Sequence, residues 1–88
     1  MDWLNQVLAD HDLPNAAFKV AYAISRHMNE AGEYNRGTTL LARRAQVTQR
    51  SLRALIKSLA ERGHLEIIRP GGLEANIYRP IIRVRGRK

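Results

Sequence analysis

The sequence predicts a small α+β domain, mostly helical. It has three core helices, an extra N-terminal helix and a C-terminal two-stranded β-hairpin. Three observations predict this. Apolar residues recur at helical spacing through a succession of segments between residues 2 and 62. A strong turn signal, Pro70-Gly71-Gly72, separates two short strand-like runs after that point. The chain has 88 residues, enough for one domain with a modest core.

The first segment, 2–9, places Trp3, Leu4, Val7 and Leu8 on one narrow stripe, and Asp2 is suited to cap its start. Asp10-His11-Asp12 is a polar break that reads as a solvated turn. Pro14 pushes Leu13 out of the helical region, and Asn15 is the expected cap of the next helix. That helix is expected over 16–29, with Ala17, Val20, Ala21, Ile24 and Met28 inward and Phe18 and Tyr22 on a flank. Gly32 ends the unit, and Tyr34 starts a very short strand in the connector.

Gly37 or Thr38 opens a helix of about two turns, with Leu40, Leu41 and Ala45 inward. Arg43 and Arg44 lie near its C-terminal end, where positive charge is favourable. Gln46-Val47 makes a turn, with Val47 buried between two helices. Thr48 caps a longer helix running to about Arg62, and Gly63 supplies a left-handed stop. That helix carries Leu52, Leu55, Ile56 and Leu59 on one face and Gln49, Arg50, Arg53 and Lys57 on the other. Residues 65–69 and 76–79 read as strands, the second ended by Pro80. The expected organisation is one domain over 1–80, whose residues 1–12 are the N-terminal helix and polar break, and a basic tail over 81–88.

The formal net charge is +7, and its distribution is uneven. Residues 1–35 carry two basic and five acidic side chains, while residues 36–88 carry thirteen basic and three acidic. The positive excess therefore coincides with the helix pair and the hairpin, and a polyanion is the natural partner. The plainer reading is a solvated basic surface. The chain has no cysteine, which excludes disulfides, thiolate metal sites and redox motifs. No apolar run reaches the length of a membrane span or secretory signal, so a reducing cytoplasm is expected.

The order of elements resembles the winged helix-turn-helix superfamily of bacterial DNA-binding proteins. The resemblance rests on Leu41-Ala42, Val47-Thr48, Arg50-Ser51-Leu52-Arg53 and Leu55…Leu59, then Gly63…Leu65 entering the wing and Asn76…Tyr78 leaving it. It covers about residues 13–80. It is nearest to domains of replication initiators, phage and plasmid regulators, and excisionases of mobile elements. It implies a winged helix-turn-helix fold and a non-catalytic, sequence-specific protein of the bacterial nucleoid that binds double-stranded DNA. Its output would be transcription regulation or recombination directionality, the latter with a recombinase as partner. The competing expectations are a winged helix used for protein or RNA contact, and the DNA-binding part of a replication initiator.

Each candidate residue has a chemical reason. Arg50 and Arg53 can each grip a guanine, Gln49 can pair with adenine, and Ala54 can touch a thymine methyl; Ser51 and Lys57 complete the expected base-contacting set. Phosphate contacts are expected from Arg43, Arg44, Arg69, Arg79, Arg83, Arg85, Arg87 and Lys88, from Thr38, from Thr48 with its free helix N–H groups, and from Gly71 and Gly72 at the wing tip. The tail can also enter a minor groove as a basic arm. The bland reading makes Arg50, Arg53 and Lys57 solvated helix residues and Pro70-Gly71-Gly72 an ordinary turn.

One small module on one half-site binds weakly, so a homo-oligomer or head-to-tail array on DNA is an expected arrangement. Its contact would join Trp3, Leu4, Val7 and Leu8 of one copy to Ile81 and Ile82 of the next. The alternative is that the N-terminal stripe packs on its own domain. His27 and His64 lack metal-ligand spacing, and no nucleophile–base set, phosphate-binding glycine loop or paired carboxylates in an apolar site is evident. The expectation is therefore no enzyme activity, no metal and no cofactor.

Overall fold

Helix α4 (Gln49–Glu61) is the longest helix among the described residues. In the computed structural model, which describes residues 2–72 and 75–82, Thr48 caps this helix by accepting the Ser51 N–H on its hydroxyl at 3.0 Å. The carboxyl end stops at Arg62, and Gly63 follows at φ +82°, the left-handed region where a side chain is strained. Leu52, Leu55, Ile56 and Leu59 are all buried, so the apolar stripe expected from their spacing is the core face.

Two further helices cover that stripe: α2 (Ala17–Arg26) and α3 (Thr38–Ala45). Helix α2 is shorter than the spacing predicts. Asn15 does not cap it; Ala16 holds that position without a side-chain hydrogen bond, and the Ala17 N–H reaches back to the Pro14 carbonyl at 2.9 Å. At the other end the Asn29 side chain accepts N–H groups of Ala31 and Glu33, at 2.9 and 3.1 Å. This local turn competes with continuing the helix, which is why α2 stops at Arg26 rather than Asn29.

Helix α3 begins after Gly37 (φ +89°) and ends at Gln46, which adopts the left-handed conformation at φ +60°. A non-glycine residue there costs on the order of 1–2 kcal/mol. The conformation reverses the chain so that the Val47 N–H bonds Ala42 and the Val47 side chain packs, half-buried, on the core.

Strands β1 (Leu65–Ile68) and β2 (Ile77–Pro80) pair antiparallel, with Leu65 opposite Pro80 and Ile67 opposite Tyr78. Pro80 is thus the last residue of β2, not the residue after it; it has no N–H to extend the ladder further. Tyr34 forms an isolated antiparallel bridge to Tyr78, with N–H to carbonyl bonds of 2.8 Å in both directions. Its ring lies 6.3 Å from that of Tyr78. The connector between α2 and α3 is thereby stitched to the outer edge of β2.

Helix α1 (Asp2–Ala9) completes the core, and it corrects two expectations. Trp3 and Val7 are buried inside this domain, at 0% and 2% exposure, so neither is an external contact. The Trp3 indole N–H donates to the His64 carbonyl at 2.7 Å.

Within the polar break Asp10 is a structural residue, while His11 and Asp12 are exposed in a turn. One Asp10 oxygen accepts from Arg62 Nε at 2.9 Å and from His64 Nε2 at 2.8 Å; the other accepts from Arg62 Nη2 at 2.9 Å. The Arg62 guanidinium, followed by His64, holds the Asp10 carboxyl well below the usual carboxylate range. The Gln6 amide donates to His64 Nδ1 at 2.8 Å and to the Ile81 carbonyl at 2.9 Å. His64, at 1% exposure, therefore has both ring nitrogens satisfied, with its proton assigned to Nε2 by these partners.

Candidate nucleic-acid interface

The solvent side of α4 follows from its core side. With leucines and isoleucine at 52, 55, 56 and 59 turned inward, the helical period turns Arg50, Ser51, Arg53, Ala54 and Lys57 outward, and all five are exposed. Glu61, also exposed, closes this face at its C-terminal end with a negative charge.

Gln49, expected to contact bases, makes a hydrogen bond to α3 in this structure. Its amide donates to the Thr39 hydroxyl at 2.7 Å, and its carbonyl oxygen is buried with no hydrogen-bond partner among the described residues. The side chain ties the start of α4 to the start of α3. Nothing in the spacing of Thr39 and Gln49 signals this, because it depends on how the two helices cross.

A cleft of about 660 Å³ runs between α4 and the hairpin. Arg53, Ile56 and Lys57 form its helix wall; Ile67, Arg69, Ala75, Asn76 and Tyr78 form its strand wall; Gly37 and Thr38, at the start of α3, close one end. Arg50 and Ala54 are not part of it. The cationic set of α4 is thus divided between an outer crest and a concave side.

The distribution of carboxylates sharpens the contrast. Asp10 and Asp12 are drawn to Arg62, the latter at 3.1 Å. Glu33 and Glu66 are drawn to Arg79, at 2.6 and 3.1 Å. Arg79, expected to contact phosphate, forms ion pairs within the fold, and its pKa is raised by the Glu33 hydrogen bond. Arg43, Arg50, Arg53, Lys57 and Arg69 make no ion pair among the described residues. Among the described residues, ion pairing thus draws Asp10, Asp12, Glu33 and Glu66 to Arg62 and Arg79, while the cations of α4 and the cleft stay outside such pairs.

The remaining candidates fall in several places. Thr48 is exposed, with its hydroxyl oxygen used in the cap. Gly71 and Gly72 form an exposed tip at φ +89° and +64°, with open space where a Cβ would stand. Arg44 lies 3.5 Å from His27 Nε2; burial, then the charges of Arg44, Arg26 and Arg36, lower the His27 pKa. Leu4 packs on the core, Leu8 is 62% exposed, and Ile81 and Ile82 are exposed. Arg83, Arg85, Arg87 and Lys88 lie outside the described residues.

The N-terminal helix and the segment at residue 81 meet within one molecule, through Gln6 and the Ile81 carbonyl. Among the described residues, no group of three His, Cys, Asp or Glu is placed to hold a metal ion, and no helix is long and apolar enough to cross a membrane. No protein-family model, curated protein or solved structure matches this chain.

Proposed function

We propose that this domain is a winged helix-turn-helix module that binds double-stranded DNA, with α4 entering the major groove. The observation that carries this reading is the outward face of α4, which presents Arg50, Arg53 and Lys57 exposed and outside any ion pair among the described residues. A helix held by its apolar side and cationic on the other is what groove reading requires. Element order supports it: α2, the Tyr34 bridge, α3, a short turn, α4, then two antiparallel strands with Tyr34 on the outer side of β2.

In this reading Arg50 is the principal base contact, through a bidentate grip on guanine, and Ala54 one turn later meets a thymine methyl. Ser51 lies beside them, and Thr48 and Arg43 approach phosphates. The biological role is a small transcription regulator or an excisionase-like factor of a mobile element, acting in the bacterial cytoplasm. Selection of a bound duplex from a random pool, followed by mobility shifts, tests the proposal. Arg50→Ala is expected to lose about 1–3 kcal/mol of discrimination at a single base pair. Failure of the protein to bind any duplex, or unchanged preference in Arg50→Ala, overturns it.

A further inference from the structure

The cleft beside α4 has a chemical character distinct from the crest. Three cations, Arg53 and Lys57 from the helix and Arg69 just after β1, line one concavity from opposite walls. Among the described residues, no carboxylate lines it. Its walls also include Ile56, Ile67 and Tyr78, of which Ile56 and Tyr78 are buried. Apolar surface beside the cations lowers the local dielectric and strengthens their attraction for an anion.

One end of the cleft adds a second, independent feature. Gly37 and Thr38 stand there at the start of an eight-residue helix. The N–H groups of Thr38, Thr39 and Leu40 have no hydrogen-bond partner among the described residues, and no side chain caps this helix. The Tyr34 hydroxyl donates to the Gly37 carbonyl at 3.0 Å and fixes that end of the chain. The positive end of α3 and the three cations thus share one cavity.

We propose that this cleft holds the sugar–phosphate backbone of one DNA strand. Arg53, Lys57 and Arg69 pair with successive phosphates, and the start of α3 donates to one of them. The inference rests on the proposed duplex binding and deepens it: Arg53 and Lys57 position the protein, while Arg50 on the crest reads sequence. A single small anion would leave cations on one wall unmatched; a strand running through the cleft engages both walls. The isoleucine and tyrosine surfaces meet the apolar faces of the sugars.

Salt titrations of Arg50→Ala, Arg53→Ala, Lys57→Ala and Arg69→Ala on the selected duplex and a scrambled one test the division. Each cleft variant is expected to reduce the slope of log K against log salt by about 0.9. It should weaken both duplexes by the same factor and leave their ratio unchanged. Arg50→Ala should reduce the ratio and leave the slope. Arg53→Lys should restore wild-type behaviour, since a point charge suffices for a phosphate but not for a bidentate base contact.

Loss of site preference in Arg53→Lys, or unchanged slopes in the cleft variants, overturns the assignment while duplex binding itself stands. Absence of wild-type duplex binding removes both proposals. Saturable shifts of the Thr38 and Thr39 amides with inorganic phosphate at sub-millimolar concentration would instead make the cleft a small-anion site, and would also overturn it. Circular-dichroism melts matching wild type establish that the exposed-residue variants are folded.

Discussion

Truncating Trp3 to alanine separates an N-terminal helix that belongs to the core from one that serves a neighbouring molecule. Trp3 has no exposed surface, and its indole N–H is bonded to the His64 carbonyl. A buried tryptophan removes roughly 200 Å² from water, which at about 25 cal/mol per Å² amounts to about 5 kcal/mol. Alanine retains a small part of that, and the void left behind relaxes only partly, so a loss of about 3–5 kcal/mol is expected.

Total stability for a chain of this size is on the order of 4–13 kcal/mol. The variant should therefore melt roughly 15–30 °C lower, if it folds at all. Trp3→Phe keeps most of the ring burial and should fall between, because the His64 carbonyl retains its bond from the Ile81 N–H. Leu8→Ser, at a position 62% exposed, should change stability by no more than about 0.5 kcal/mol. Urea unfolding followed by circular dichroism at several protein concentrations measures all three. A Trp3→Ala loss below about 1 kcal/mol, or a wild-type midpoint that rises with concentration and ceases to do so in Trp3→Ala, would refute the intramolecular role.

Three other outcomes are expected. The folded-state pKa of Asp10 is depressed below its ordinary value of 3.8, so its contribution is present above that value and is lost as pH falls through the folded value; wild type should exceed Asp10→Asn in stability near neutral pH, with the gap closing only in strong acid. His27 should titrate below 6.5, because burial and the charges of Arg44, Arg26 and Arg36 disfavour imidazolium; proton NMR of Arg44→Ala should show the midpoint moving back up. Since the unfolded chain protonates His27 first, its contribution to stability should decline as pH drops from 6.5 toward that lower midpoint. Thr48→Ala removes the hydroxyl that accepts the Ser51 N–H and should cost about 1 kcal/mol in chemical denaturation, with no change in the denaturant slope.

Local signals were legible where the chain itself supplied the partner. Thr48 caps α4 through a residue three positions away, Gly63 stops it, and the leucine spacing fixes its buried face. Tyr34 was readable as the beginning of a short strand, and it pairs with Tyr78. The shortening of α2 was less legible. The turn organised by Asn29 competes with helix on nearly equal terms, and apolar spacing does not reveal which prevails.

What the amino-acid order determined by itself was the class of the domain, the inward faces of α2 and α4 and the concentration of positive charge from residue 36 onward. These follow from periodicity, caps and composition, which act over a few residues. In α3 the order placed Leu40 inward where Ala42 is buried, and in α1 it placed Leu8 on a stripe that leaves it exposed. Only the tertiary structure decided which cations stay available. Asp10 meets Arg62 across a separation of 52 residues, Glu33 meets Arg79 across 46, and Gln49 turns to Thr39. It also decided that Arg53, Lys57 and Arg69 line one cleft. Such pairings depend on how packed helices bring distant side chains within a few ångströms, and local sequence carries no record of that distance.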